Sequence, residues 1–335
     1  MGIFSPPDLP SWVNGMKRVI RIVLATGITI AAVWLSFRGT DIAVLRDAFV
    51  RANYLWVAGA TAITLFTVYA LGWRWRILLG HQHRVPMKTL FRLNIISQFA
   101  NILVPARAGE LVRAFMTARI SSASNSFVLG TIVIERLFDI MIFAIFWIMA
   151  SAFFLIKVQS RSGLVFGIGG GLLALAVLIV LVVRPMVFLH GVRFIARVLP
   201  RRLAEKITKS VEEGIRAFAV LRSPRKILVL SSLTVALLFL QVLANVLLFK
   251  AIPIRLPLEA ALGVLLAVQI GSIPPTAPGK IGVFEYSVIL ALSLFNVSRP
   301  DALSYGLMLH IVAFLPKIVL GLAFLGFSKN RTSGK

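Results

Sequence analysis

The chain has 335 residues, 59% of them hydrophobic and 14% charged, with a mean hydropathy of +0.91. This leaves too little polar surface for a soluble protein of the same length and marks a multi-pass membrane protein. The lack of cysteine excludes disulfides, a thiol nucleophile and a Cys-ligated metal. The formal charge of +24 is spread between apolar segments, the pattern of flanks facing anionic lipid and not of a nucleic-acid surface.

In chain order, the residues up to Trp12 are Pro-rich and polar. The first apolar run after them has no small-residue cleavage site and is expected to be retained. Six runs approach the roughly 20 residues that a spanning helix needs. They are about Val19–Phe37, Leu55–Trp73, Phe127–Ile156, Gly163–Val183, Ile227–Phe249 and Leu303–Phe327. Asp41–Ala52 reads as a short amphipathic helix on the outer surface. Two further apolar regions, Pro86–Ser121 and Pro257–Val297, are broken at their centres by Pro and Gly. Irregular backbone is tolerated at membrane depth only inside protein or beside water, so both read as re-entrant hairpins. The expected fold is all-α integral membrane, with about six full transmembrane helices plus two re-entrant helical hairpins in an inverted repeat. One membrane domain covers 1–335, with a first repeat at about 18–156 and a second at about 163–327. A cytoplasmic linker at about 185–225 lies inside the second.

Charge placement supports this topology. Lys17, Arg18 and Arg21 put the N-terminus in the cytoplasm, and non-crossing hairpins add Arg74, Arg76, Arg84, Lys88 and Arg92 to that side. The dense block Arg184–Lys226 and the C-terminal Lys329, Arg331 and Lys335 join them. Only Arg38, Arg46, Arg51, Lys157, Arg161, Lys250, Arg255 and Arg299 face the other way, as the positive-inside rule requires. The hairpins then enter from opposite sides, the plan in which transporters hold substrate near the midplane. In the linker, Met186–Leu199 suits a helix lying in the interface. Arg201–Leu221 continues as a charged helix with Glu205–Lys209 and Glu212–Arg216 one turn apart.

The first broken region carries Asn101 to Arg113, with Pro105 and Gly109 shaping the tip. Freed N–H groups at the following helix start, with Arg107 and Arg113, favour an anion such as phosphate. Glu110 either pairs with one of these arginines or recognises a cationic group, and Asn101 is a candidate cavity-lining residue. The second region echoes it, with Pro275, Pro278, Gly279 and Gly282 as shaping residues and Lys280 and Glu285 as candidate ligands. In the third run Glu135 and Asp139 share a helical face beside Arg136, and intramembrane carboxylates are candidates for substrate or proton handling. For the first hairpin the alternative is a self-satisfied Arg–Glu cluster that holds it in shape; for Glu135 and Asp139 it is a structural ion pair, with Arg107 or Arg113 as candidate partners. In the last run Pro316 is expected to kink the helix, and Lys317, two turns after His310, needs a partner such as Glu285. His81 and His83 lack a third ligand, so no metal is expected. No Walker loop or Ser/His/Asp set stands out, so neither an enzyme nor a cofactor is expected.

Asn101–Arg113, Thr131–Asp139 and Ala277–Glu285, in this order, make the chain resemble the lysylphosphatidylglycerol synthase transmembrane-region family, also called the flippase-like domain family. The resemblance covers nearly the whole chain and implies a stand-alone member without the soluble aminoacyltransferase domain. It implies a lipid flippase or translocase that moves an anionic or aminoacylated (phospho)lipid between leaflets. Arg107, Arg113 and Lys280 would then hold the headgroup, with Glu110, Glu135, Asp139 and Glu285 as counter-charges. Other readings are a non-transporting scaffold for a lipid-modifying enzyme and an ion-coupled transporter of a small solute. The expected location is the bacterial inner (plasma) membrane with both termini cytoplasmic. The expected partners are membrane lipids with a phosphate-containing headgroup and not nucleic acid; a homodimer and a separate lipid-modifying enzyme stay open.

Overall fold

The computed structural model describes residues 26–38, 42–80, 84–104, 108–158, 168–173, 175–176, 201–252, 254–273 and 277–332. Among the described residues there is no strand. Helices satisfy their own backbone hydrogen bonds, which an apolar solvent demands. The elements are α1 (Thr26–Phe37), α2 (Ile42–Val50), α3 (Tyr54–Leu79), α4 (Met87–Leu103), α5 (Ala108–Ser121) and α6 (Asn125–Val158). They continue as α7 (Arg201–Arg216), a 3-10 turn (Ala217–Arg222), α8 (Pro224–Ala251), α9 (Leu258–Gly271), a 3-10 turn (Pro278–Lys280), α10 (Val283–Ser293) and α11 (Arg299–Thr332).

Among the described residues, three helices are long and apolar enough to cross a membrane: α3, α8 and the Arg299–Gly326 part of α11. The 34-residue α6 has about 50 Å of length at 1.5 Å per residue, more than the roughly 30 Å hydrocarbon core. Most of the expected span Gly163–Val183, the start of the first run and the interfacial segment Met186–Leu199 lie outside the described residues. Helix α11 runs through Pro316 as one continuous element, so the expected kink does not end the helix there. Both interrupted regions are pairs of shorter helices, α4 with α5 and α9 with α10, none longer than 17 residues.

The chain packs as two compact units. The first comprises Met1–Thr64, Gln98–Ala108 and Val242–Lys335; the second comprises Leu65–Ser97 and Gly109–Gln241. In the second unit the core gathers Trp75, Leu78 and Leu79 of α3, Leu90 of α4, Ala114 of α5, and Val128, Ile134 and Phe138 of α6. Ala217 and Val220, at the end of the linker, are buried in the same core. The charged linker helix is therefore docked: α7 packs along α6, and Gly130 and Gly214 let the two backbones touch. In the first unit α10 packs between α9 and α11, with Ser287 against Gly271 and Val288 against Gly306. Tyr305 of α11 donates to Asn245 Oδ1 of α8 at 2.6 Å and lies against Phe249.

A side chain at Gly130 meets the Gly214 carbonyl oxygen, and rigid backbone cannot yield as a flexible side chain would. Gly130→Val is expected to cost about 1–3 kcal/mol or more through overpacking. Gly326→Ala, where a Cβ meets nothing within 4 Å, is expected to be neutral or slightly stabilising. Thermal unfolding of the detergent-purified chain distinguishes the two.

Candidate functional site

The second unit holds a connected network of buried charge. Arg74 is drawn inward because α3 continues past it through Ile77, Leu78 and Leu79, the last two buried in the core. Its side chain is 1% exposed. It donates to Glu135 Oε1 at 2.9 Å, Asp139 Oδ1 at 2.5 Å and Thr234 Oγ1 at 2.9 Å. Glu135 and Asp139 stand one turn apart on α6, so one guanidinium fork reaches both. The other oxygen of Glu135 accepts from Arg113 at 2.5 Å, and Arg113 donates its second terminal nitrogen to Asn94 Oδ1 at 2.9 Å. The Arg113 guanidinium also stacks 4.2 Å from the ring of Trp75, whose indole N–H donates to Thr131 Oγ1. Arg136 bridges Asp139 at 3.1 Å and Glu110 at 2.5 Å. Three arginines and three carboxylates thus form a locally neutral set joining α3, α4, α5, α6 and α8. Each desolvated ion costs several kcal/mol, which is recovered only through well-formed pairs such as these. The arrangement fastens helices, and Arg113 spends its terminal nitrogens inside it.

The first unit builds a different kind of site at the second hairpin tip. Within four residues the backbone turns left-handed three times, at Gly279 (φ 72°), Lys280 (φ 58°) and Gly282 (φ 83°). Gly282 caps α10, and its N–H donates to Glu285 Oε2 at 2.7 Å, the reciprocal contact of a capping box. Helix α1 holds the tip closely. Ser36 donates to the Gly282 carbonyl at 3.3 Å and the Ala277 N–H donates to Thr29 Oγ1 at 3.2 Å. A Cβ on Gly282 would strike Val33. The other oxygen of Glu285 lies 2.5 Å from His310 Nδ1 of α11, and the His310 ring packs between Phe284 and Phe314. Two turns further along α11, Lys317 is half-buried and close enough to Lys280 for the two ammonium charges to repel. Among the described residues, no carboxylate lies within ion-pair distance of Lys317.

The expected site residues therefore separate. Glu110, Arg113, Glu135 and Asp139 come together in the second unit; Lys280 and Glu285 belong to the first. Asn101 lies half-buried in the last turn of α4, with Phe99 of the same turn packed on Gly321 of α11. Arg107, Pro105 and Pro275 lie outside the described residues. Pro278 opens the 3-10 turn, Gly279 has a positive φ within it, and Gly282 has one at the cap of α10. Gly109 is instead buried in the first turn of α5, without a positive φ. Two sequence assignments change. Glu285 pairs with His310 and not with Lys317, because α10 starts at Val283 and turns the carboxylate back toward its own cap. Arg74, counted as a cytoplasmic flank, is the centre of the buried network, and the apolar Ile77-Leu78-Leu79 after it was the available signal.

These features define an all-helical, multi-pass membrane protein organised around buried charge. The chain belongs to the family described as the lysylphosphatidylglycerol synthase TM region, whose profile matches residues 19–321. Among its relatives is the UPF0104 membrane protein MJ1078 of Methanocaldococcus jannaschii, 25% identical over 225 residues, covering 67% of this chain and 91% of the relative. The UPF0104 membrane protein MJ1595 of the same organism is 22% identical over 280 residues, covering 80% and 83%. A UPF0104 membrane protein of Methanothermobacter thermautotrophicus is 25% identical over 309 residues, covering 82% and 83%.

Removing the centre of the network leaves Glu135 buried without one of its two cations. Arg74→Ala is expected to destabilise the folded chain by about 3–5 kcal/mol, the usual cost of breaking a buried pair. Arg74→Lys keeps the charge but not the fork and is expected to fall between. The loss is read from denaturation midpoints in detergent.

Proposed function

We propose that this chain moves a lipid with an anionic or aminoacylated, phosphate-containing headgroup between membrane leaflets, as a carrier and not as an enzyme. One observation carries the reading: Lys317 is half-buried on an apolar helix with the Lys280 charge of the hairpin tip close enough to repel it, and no carboxylate among the described residues pairs with Lys317. Like charges in such surroundings are costly until an anion joins them. Lys280 also holds a left-handed backbone, a strain of about 1–3 kcal/mol of the kind that gathers at ligand sites. A phosphate oxygen between two ammonium groups relieves the repulsion, while acyl chains remain in the bilayer. Arg107 stays in this anion set on sequence grounds alone. The neutral network around Arg74 keeps its helices in place, and we assign headgroup contact to the lysine pair in preference to Arg113. The family described for synthases of lysylphosphatidylglycerol supports a lipid cargo.

In this reading the two broken helix pairs are re-entrant and enter from opposite sides. Both termini face the cytoplasm of a plasma membrane, in keeping with the distribution of Lys and Arg.

The test is reconstitution into phosphatidylethanolamine and phosphatidylglycerol vesicles with a fluorescent phosphatidylglycerol tracer and an impermeant quencher. The wild-type chain is expected to expose inner-leaflet tracer. Lys280→Gln combined with Lys317→Gln is expected to slow this at least tenfold, since a charged hydrogen bond contributes about 1.5–3 kcal/mol. Tracer that stays in its leaflet with wild-type protein overturns transport and favours a scaffold; an unchanged rate in the double variant overturns the lysine assignment.

A further inference from the structure

The Glu285–His310 pair has a geometry that fastening the hairpin does not require. Capping Gly282 uses only Oε2 of Glu285, and a glutamine would serve that contact equally well. The remaining oxygen meets an imidazole at 2.5 Å, with Glu285 4% and His310 16% exposed. Imidazole is the side chain whose charge ordinarily changes between about pH 5 and 8. With Nδ1–H donated to the carboxylate, Nε2 remains as the position for one further proton.

The charged groups around the pair are few. The tip contributes Lys280, and α11 contributes Lys317 two turns away, about 10 Å along the helix axis. Helix α1 carries no charged residue and presents Thr29 and Ser36. Helix α9, packed on α10, has a single charged residue, Glu259, in its first turn, remote from the tip. On α8, Asn245 is taken by Tyr305 and Lys250 lies over Trp56. Helix α2, packed on α11, carries Arg46 and Asp47, the latter bridged to exposed Arg51. The 98–103 stretch of α4 has no charged residue, and Arg299 and Asp301 occupy the far first turn of α11. Lys317 is thus the charged side chain nearest His310 along α11.

We propose that the Glu285–His310 pair is a proton-binding site linked to occupancy of the Lys280–Lys317 anion site, so that an anionic headgroup and one proton are taken up together. The inference rests on the headgroup reading above and adds its coupling ion. The proton comes from water, is held at His310 Nε2 while Nδ1–H stays bonded to the Glu285 carboxylate, and returns to water when the anion leaves. The sign follows from charge. With the anion site empty, a proton on His310 adds to two lysines; with it filled, the anion offsets a lysine and the proton is favoured. At about 10 Å and an effective dielectric near 20, one unit charge shifts such an equilibrium roughly tenfold.

The test is calorimetric binding of dioctanoyl phosphatidylglycerol to the detergent-purified full chain from pH 8 to pH 6, in buffers of different ionisation heat. Its phosphodiester stays ionised throughout. Affinity is expected to rise about tenfold as pH falls, with up to one proton taken up per lipid. In Glu285→Gln and His310→Gln, each first shown to be monodisperse and cooperatively folding, affinity is expected to be flat with pH and proton uptake lost. Wild-type binding that is strong but pH-independent overturns the proton site and leaves the headgroup site standing. Absence of wild-type binding at every pH overturns the headgroup reading and the coupling with it. Proton uptake that persists in both variants overturns the assignment to this pair.

Discussion

Arg74, buried between Glu135 and Asp139, is the interaction on which the second unit depends. A guanidinium cannot sit alone in apolar surroundings, so its position dictates those of its neighbours. The two carboxylates must share one face of α6, which fixes the rotation of that helix against α3. Thr234 then fixes α8, and the free oxygen of Glu135 draws in Arg113 of α5. Arg113 in turn reaches Asn94, which ties α5 to α4 across the break between them. Apolar packing alone would leave the helices free to slide, since side chains such as Leu and Ile are interchangeable neighbours. A fork with fixed geometry does not permit it.

The first unit solves the same problem of polar groups in an apolar setting by another route. Its broken helix pair is held by backbone: a cap at Gly282, a hydroxyl from Ser36, and close approach of α1 to a residue with no side chain. The contacts that keep the tip in shape are thus backbone and hydroxyl contacts, with Glu285 serving as a cap. The contrast sorts the candidate residues on physical grounds. In the network of the second unit three arginines meet three carboxylates, so its charges balance. In the first unit, Lys317 feels the charge of Lys280 and has no carboxylate partner among the described residues, while Glu285 is committed to a cap and a histidine.

Much of this was legible in the sequence, because the strongest signals are those that violate the composition. Pro and Gly inside apolar runs located both breaks, and Glu135 with Asp139 at helical spacing located the network. Partner choice was not legible. Arg74 sits beside Trp73 at the edge of an apolar run, where a snorkelling flank and a buried ion look alike; only the apolar turns through Leu79 separate them. Glu285 read as a partner for Lys317, and nothing in the sequence pointed to His310. The choice was made by the left-handed turn at Gly282, which sets where α10 begins and so which way the carboxylate faces. Spacing along one helix is readable from a sequence, whereas the phase of one helix against another is set by packing.

The charge count at the hairpin tip bears on energetics as well as recognition. Moving one elementary charge across a membrane potential involves about 2.3 kcal/mol per 100 mV. A singly anionic headgroup crossing alone would therefore be driven or opposed by the potential in one fixed direction. A headgroup accompanied by one proton carries no net charge, and its distribution is set by lipid and proton gradients alone. Lysines fixed to the protein can neutralise the headgroup at the site, but they do not leave with it. A titratable pair placed next to them can supply a charge that does travel, and among the described residues of the first unit only Glu285 and His310 combine burial, contact with the tip and an imidazole.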